Sequence, residues 1–595
     1  MQLTRHLVNS LSAAAVLLLL AQLGIYVWLA PRAFEFTDEA FYLLNLLHWR
    51  DLQGNVTFFG AYFDIPFRAL GQSIVSIRLF SVVLLLACSA YCTLAVLRYQ
   101  SAQMPTPALP PTAVFVVAGM AGSMLYFSIL STLRVPSYNL GALCAGMIAT
   151  GILLNLLSPP DGDRASVWRM LAYGLALGAC GLNKASAGLA VAVMHAVFLL
   201  SFERPWFRAN GLRLIALGAA GVAVNLVGLT LAAPNWFRQL QEGVALVSIT
   251  DGRSLFAFFN HVRWDLQTVV GKYWNWAALA VLVYLGGVWV ELRRHARPTG
   301  TPELLLVVAA TAALAGASDQ SVWWPVVVLV ALLLTLRTVL TLNGPRLAGL
   351  RVKQVALVLL LLILPLALSF GTNMPVLAHA KTNAAFAVLA VLAALVSAAR
   401  ETALPRPTLV AALAVLCLPG LAYQWRAATQ ADQSYRQMQP LAEQHVSVLL
   451  GMAQTRLQVD SETARGLQEV GRVMFSAGWT MGTPVLDFTG DGPGWIYAMG
   501  GQPVGLAWLL GGYPGSEKTA ARVLQVQAPE LLQRSWLLTS DANPRRISNW
   551  RELLAQRLGA NTHEKVATVM LVAPYRWGPD APARIDLQLW RPLPR

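Results

Sequence analysis

About thirteen apolar stretches divide the first 424 residues of this chain, running approximately over 11–30, 73–97, 112–133, 138–157, 169–182, 186–202, 212–233, 275–291, 302–317, 321–341, 354–370, 384–399 and 407–424. Each is close to the length that a hydrocarbon core demands of a helix. Backbone placed in lipid has to satisfy its own hydrogen bonds, so the pattern predicts a polytopic α-helical membrane protein. Only 12% of the 595 residues are charged and 56% are hydrophobic, which excludes a cytosolic globular enzyme and a disordered chain. Cys88, Cys92, Cys144, Cys180 and Cys417 all lie in apolar stretches and offer neither a disulfide framework nor a CxxC metal set. The first apolar run, after Arg5 and before Ala30-Pro31-Arg32-Ala33, exceeds a usual signal core and reads as a retained anchor.

Charge marks a second boundary. Residues 1–424 hold 27 Lys/Arg and 15 Asp/Glu, whereas 425–595 hold 17 and 14, so charge density nearly doubles past Gln424. The reading is a transmembrane module over 1–424, with a first loop at 31–72 that carries interfacial helices, and a water-exposed domain over 425–595. Arg5, Arg98, Arg164, Arg169, Arg204, Arg208, Arg213, Arg293, Arg294, Arg297, Arg346, Arg351, Lys353, Arg400 and Arg406 fall on alternate connections, which places those connections on the cytoplasmic side. The first loop, the loops 234–273 and 371–383 and the tail then face outward. No repeat of 20–50 residues and no two-half symmetry is visible. In the tail, a helical period over Glu443–Phe475 precedes a strand at Val485–Phe488 and a glycine-rich stretch from Thr489 to Ser516. Helices at Glu517–Leu532 and Ile547–Leu558 then alternate with strands at Ser535–Thr539, Lys565–Val572 and Arg584–Trp590, which makes a small α/β domain.

Polar chemistry gathers on the outward side. In Phe36-Thr37-Asp38-Glu39-Ala40-Phe41-Tyr42, two acids open a helix whose Ala40, Leu43, Leu44 and Leu47 share one face. Plain helix chemistry accounts for the same residues, with Thr37 as the cap and the acids at the positive end. A carboxylate at the mouth of a membrane bundle also suits a general base. Lys184 lies between two short apolar segments, where a cation must snorkel or meet an anion. Arg134, Arg253, Lys381 and His379 add positive character to outward loops, as expected for a shared anionic ligand. The aromatics of the loop 234–273, Trp264 and Tyr273 among them, suit an interfacial belt, and one or two could stack on a sugar. Neither a phosphate-binding GxxxxGK[ST] nor HExxH nor a Ser/His/Asp set is present, the tail glycines read as turn builders, and basic charge scattered over membrane loops gives no case for nucleic acid.

With these residues in place, the chain resembles the integral-membrane GT-C glycosyltransferases, especially the protein O-mannosyltransferase and lipid A aminoarabinose transferase relatives. The likeness rests on the anchor followed by Thr37-Asp38-Glu39-Ala40-Phe41-Tyr42 and on Ser76-Ile77-Arg78-Leu79-Phe80-Ser81 opening the second crossing. It also rests on Leu175-Ala176-Leu177-Gly178 leading to Asn183-Lys184, and on about thirteen crossings followed by an extracytoplasmic α/β tail. The resemblance implies transfer of a sugar from a polyprenyl-phosphate donor to an acceptor hydroxyl of a glycan, lipid or protein, with inversion, at the outer face of a bacterial inner membrane. Asp38 would be the general base, Glu39 its neighbour, and Lys184 the contact to the lipid phosphate, with Arg134, Arg68, Lys381, Arg253 and His379 as further donor contacts. Tyr138, Asn139, Trp264 and Tyr273 are candidate acceptor or sugar contacts. Two features depart from the pattern. Many relatives carry an acid in the turn between crossings three and four, where this chain has Arg134, Ser137, Tyr138 and Asn139. Several carry a Lys-Pro-Pro-Leu-like element where it has Asp64-Ile65-Pro66-Phe67-Arg68, so Arg68 stands for the lysine. Without the second acid, no metal and no other cofactor is expected. The alternatives are a transporter or lipid flippase, an O-antigen ligase or polymerase using a diphosphate-linked glycan, and a non-enzymatic envelope scaffold.

Overall fold

The computed structural model describes residues 2–103, 112–129, 131–158, 163–249, 255–293, 300–316, 323–341, 345–371, 376–401, 405–573 and 583–593. Each expected apolar stretch is helical over most of its described residues, with breaks at Met124 and at 416–417 and a non-helical end at 131–133. Eight described helices are long and apolar enough to cross a membrane and four more are shorter and apolar, while the stretch 169–182 lies within helix Asp163–Asn183. The protein is thus a multi-pass membrane protein by length and composition. Helix Leu255–Arg293 begins well before the apolar run at 275, so the second half of the expected loop 234–273 is helical instead, and the first half holds helix Trp236–Ile249.

The polypeptide between the first two crossings, α1 (Gln2–Leu29) and α4 (Ile74–Gln103), contains α2 (Asp38–His48) and α3 (Phe59–Ala69). Instead of lying open on an interface, α2 is buried from Glu39 to Leu46 apart from Phe41, because α3 covers it on one side and the tail on the other.

The tail holds a hairpin, β1 (Val446–Leu450) with β2 (Thr455–Val459), and five further strands: β3 (Pro484–Asp487), β4 (Gln502–Pro503), β5 (Trp536–Thr539), β6 (His563–Val572) and β7 (Arg584–Pro592). These five form a mixed sheet in the order β4-β3-β5-β7-β6, parallel among β4, β3 and β5 and antiparallel at β7 and β6. The hairpin corrects the helical reading of Glu443–Phe475, since the helix begins only at Ser461, capped by Asp460. Burial in β2 alternates with period two, and Gly451 at φ 69° and Gln454 at φ 48° make the turn that a helix could not contain.

The tail is joined to the membrane module by backbone as well as side chains. Residues 31–33 run beside β2, with the Ala33 amide donating to the Gln458 carbonyl at 2.8 Å and the Gln458 amide to the Pro31 carbonyl at 2.7 Å. Phe36 packs on Trp495 with ring centroids 4.9 Å apart, and Arg522 forks onto Glu242 of helix Trp236–Ile249. Gly494 sits directly against Phe36, and a Cβ there would lie 2.6 Å from the Phe36 Cα. Backbone cannot yield as a side-chain tip can, so Gly494→Ala is expected to cost about 1–3 kcal/mol by overpacking. A lower unfolding temperature in detergent checks this, and an unchanged one refutes it.

Candidate active site

Glu35, fully buried, organises the start of α2. One of its oxygens accepts from the Thr37 amide at 3.0 Å and from the Thr37 hydroxyl, and the other accepts from the Glu39 amide at 3.0 Å. In return, the Glu35 amide donates to Oε2 of Glu39 at 3.1 Å. Here a glutamate two residues upstream performs the capping that the sequence suggested for Thr37, whose side chain makes no cap bond. Burial raises the Glu35 carboxyl to about 7, with Arg436 opposing and Asp38 reinforcing the shift.

Glu39 faces away from its neighbour Asp38 and into a buried ion pair with Arg78. Nε of Arg78 meets Oε1 at 2.9 Å and Nη2 meets Oε2 at 2.7 Å. The other Arg78 donors reach the carbonyls of Ala30, Arg32 and Ala33 at 2.6, 3.0 and 2.8 Å. All five N–H groups of the guanidinium are therefore spent on holding the end of α1 and the start of α2 against α4.

Asp38 is different. It is partly exposed, with 24% of its side chain accessible, and one oxygen, Oδ2, accepts from the Tyr435 hydroxyl at 2.7 Å and from Nη1 of Arg436 at 2.9 Å. The Arg436 guanidinium also donates to the Thr37 hydroxyl and lies 4.7 Å over the Tyr435 ring. Burial opposes the Arg436 charge, but Asp38, Tyr435, Glu35 and Asp491 outweigh it and the group sits above its ordinary value. Neither Tyr435 nor Arg436 was singled out in the sequence. Both follow the last apolar stretch and carry no local motif.

Lys184 stands at the residue before helix Ala185–Phe202, without a side-chain cap bond, and is 4% exposed. Its ammonium donates to the Leu368 carbonyl at 2.7 Å and lies 3.5 Å from Oδ1 of Asn139. Burial lowers this amine to about 7. His379 sits beside it, held to about 3 by burial and then by the charges of Lys184 and Lys381, and so is neutral. Its Nδ1 lies 3.4 Å from the Ser369 hydroxyl, to which Asn383 also donates at 3.2 Å. Between this group and Asp38, the ring of Tyr42, one turn along α2, meets that of Tyr138 at 5.9 Å between centroids, and Asn139 is the residue after Tyr138. A cavity of about 290 Å³ opens among helices Asp163–Asn183, Ala185–Phe202 and Arg204–Ala232, lined by Leu177, Ala192, Ala196 and Val222. It starts about two helical turns along from Lys184.

The other expected donor contacts separate from this cluster. Buried Arg134 donates to the carbonyls of Ser131 and Leu29, and so serves the carbonyl end of α1. Arg68 pairs with Asp64 one turn away, and Arg50 reaches the same carboxylate at 2.8 Å. Trp264 is exposed on helix Leu255–Arg293, Arg253 lies outside the described residues, and the Tyr273 side chain is likewise outside them. The cation beside Asp38 is thus Arg436, and neither Arg134 nor Arg68 takes that place.

No family model and no curated protein matches this chain. Among solved structures it is similar to ArnT from Cupriavidus metallidurans in the apo state, with 13% identity over 96% of this chain and 97% of that one and a TM-score of 0.41. It is also similar to ArnT from Cupriavidus metallidurans bound to undecaprenyl phosphate, with 15% identity over the same shares and a TM-score of 0.36.

Proposed function

We propose that this protein is an inverting glycosyltransferase of a bacterial inner membrane, moving a sugar from a polyprenyl-phosphate donor to an acceptor hydroxyl at the outward face. The observation that carries the reading is the Asp38 carboxylate, fixed through one oxygen at the end of the bundle where Lys184 is buried. The acceptor oxygen bonds the anomeric carbon as its proton passes to Asp38. The bond from that carbon to the phosphate oxygen breaks with its electron pair on the phosphate, and Lys184 stabilises the charge that develops there. The cavity beside helix Ala185–Phe202 suits a segment of the lipid chain. Nothing in this scheme calls for a metal, since the cation at Asp38 is Arg436. Chelator should leave the rate unchanged, and loss of activity restored by magnesium or manganese would refute metal independence.

Purified protein incubated with a radiolabelled polyprenyl-phosphate sugar and glycan, lipid or protein acceptors should yield labelled acceptor. Substrate flux across vesicles without any transfer would instead establish a transporter. A charge-assisted bond to phosphate contributes about 1.5–3 kcal/mol, so Lys184→Ala should raise the donor KM about 10- to 100-fold. A lysine lowered to about 7 is protonated below that pH and loses its charge above it. Donor KM in the wild type should therefore climb as pH rises through about 7, and that climb should vanish in Lys184→Ala. Equal pH dependence in both proteins would rule out Lys184 as the phosphate contact.

A further inference from the structure

Two donors converge on one atom of Asp38, and both come from consecutive residues of the linker between the last membrane helix and the tail. The linker is itself held. The Tyr435 amide donates to the Ser131 hydroxyl at 3.2 Å, and the Tyr435 carbonyl accepts from the Thr132 hydroxyl at 2.8 Å. Arg436 then adopts φ 54°, a left-handed conformation that a residue with a long side chain rarely takes without external constraint. That backbone carries the guanidinium to the Thr37 hydroxyl and to Asp38 at once, and Thr37 is anchored in turn by buried Glu35. Besides Tyr435 and Arg436, the ionisable groups whose fields couple with Asp38 are Glu35 and Tyr42, with Asp491 of the tail beyond Arg436.

We infer that Tyr435 and Arg436 are positioning residues for the transfer reaction: together they hold one carboxylate oxygen of Asp38, so that the other is presented in a single orientation to the acceptor hydroxyl. This rests on the transferase reading above. A free carboxylate rotates and offers either oxygen, whereas a pinned one offers a single lone-pair direction, and orientation of this kind contributes to rate more than to binding. The linker position adds a second consequence. The base lies in the membrane module but is oriented by residues that lead into the tail, so the tail is needed in its docked place for turnover.

Five proteins test this: wild type, Tyr435→Phe, Arg436→Gln, Arg436→Lys and, as the spectroscopic reference, Asp38→Asn, each as the full chain in detergent or nanodiscs. Tyr435→Phe keeps the ring and removes only the hydroxyl. Transfer kcat should fall about tenfold in Tyr435→Phe and about a hundredfold in Arg436→Gln, with donor KM within about twofold of wild type. Arg436→Lys should restore part of the loss, because it keeps the charge but not the fork. An infrared readout needs no activity. In the difference spectrum against Asp38→Asn, the separation of the asymmetric and symmetric carboxylate stretches should narrow in Tyr435→Phe and Arg436→Gln as the one-sided hydrogen bonding is removed. Unchanged kcat in folded variants would overturn the inference, as would an unchanged carboxylate spectrum or rate losses that follow unfolding temperature alone. A narrowed splitting in a chain that transfers no sugar would overturn the transferase reading while upholding the clamp.

Discussion

Asp38→Asn is expected to slow sugar transfer by about a hundredfold to ten-thousandfold, the range over which a positioned general base acts. The substitution is nearly isosteric. The amide oxygen can take the place of Oδ2 and keep both bonds from Tyr435 and Arg436, so the start of α2 should stay where it is. What changes is the free side of the group, where an N–H donor replaces the lone pair proposed to take the acceptor proton. Donor KM and unfolding temperature should therefore match the wild type while kcat collapses. Asp38→Glu keeps the basicity but moves the carboxylate by one methylene, and a misplacement of about 1 Å can itself cost a hundredfold. Wild-type turnover in Asp38→Asn would exclude Asp38 as the base.

The largest effect on stability should come from Arg78→Ala. Arg78 and Glu39 are both fully buried, and breaking such a pair from one side strands a carboxylate in a low dielectric, at about 3–5 kcal/mol. The carbonyls of Ala30, Arg32 and Ala33 lose their donors in the same step. Arg78→Lys should rescue little, because three donors on a point charge cannot reproduce a five-donor fork. Combining Arg78→Met with Glu39→Met should recover only the part of the loss due to the stranded carboxylate, since the three carbonyls still lack their donors. Thermal unfolding of the single and double variants measures this, and a single variant as stable as the wild type would show that the pair contributes nothing.

The membrane helices were legible because a bilayer imposes a length and an apolar composition that a one-dimensional sequence records directly. The strands at Val485 and Arg584 were legible because a buried strand announces itself locally. The hairpin from Val446 was not, since Leu449 and Leu450 break the alternation and the helix that follows has a strong period of its own. Within the site, Asp38 and Lys184 stood out as charges at the edges of apolar stretches. Their surroundings did not. Glu35 took over the cap because its side chain reaches the α2 amides from outside the helix, and Arg134 was drawn to the carbonyl end of α1, a preference that only the folded packing reveals. Tyr435 lies 397 positions from Asp38, and no spacing rule links residues that meet only after the whole bundle has formed.

That separation bears on biogenesis. The strip at 31–33 precedes most of the described membrane helices in the chain, whereas its hydrogen-bonding partner on β2 follows all of them. Contacts so distant along the chain form late, since closing a long loop comes before any reward from the contact. A chain truncated before the linker would carry Asp38, the proposed base, without Tyr435 and Arg436. On the proposed reading, the site around Asp38 is completed only once Tyr435 and Arg436 have been made and docked.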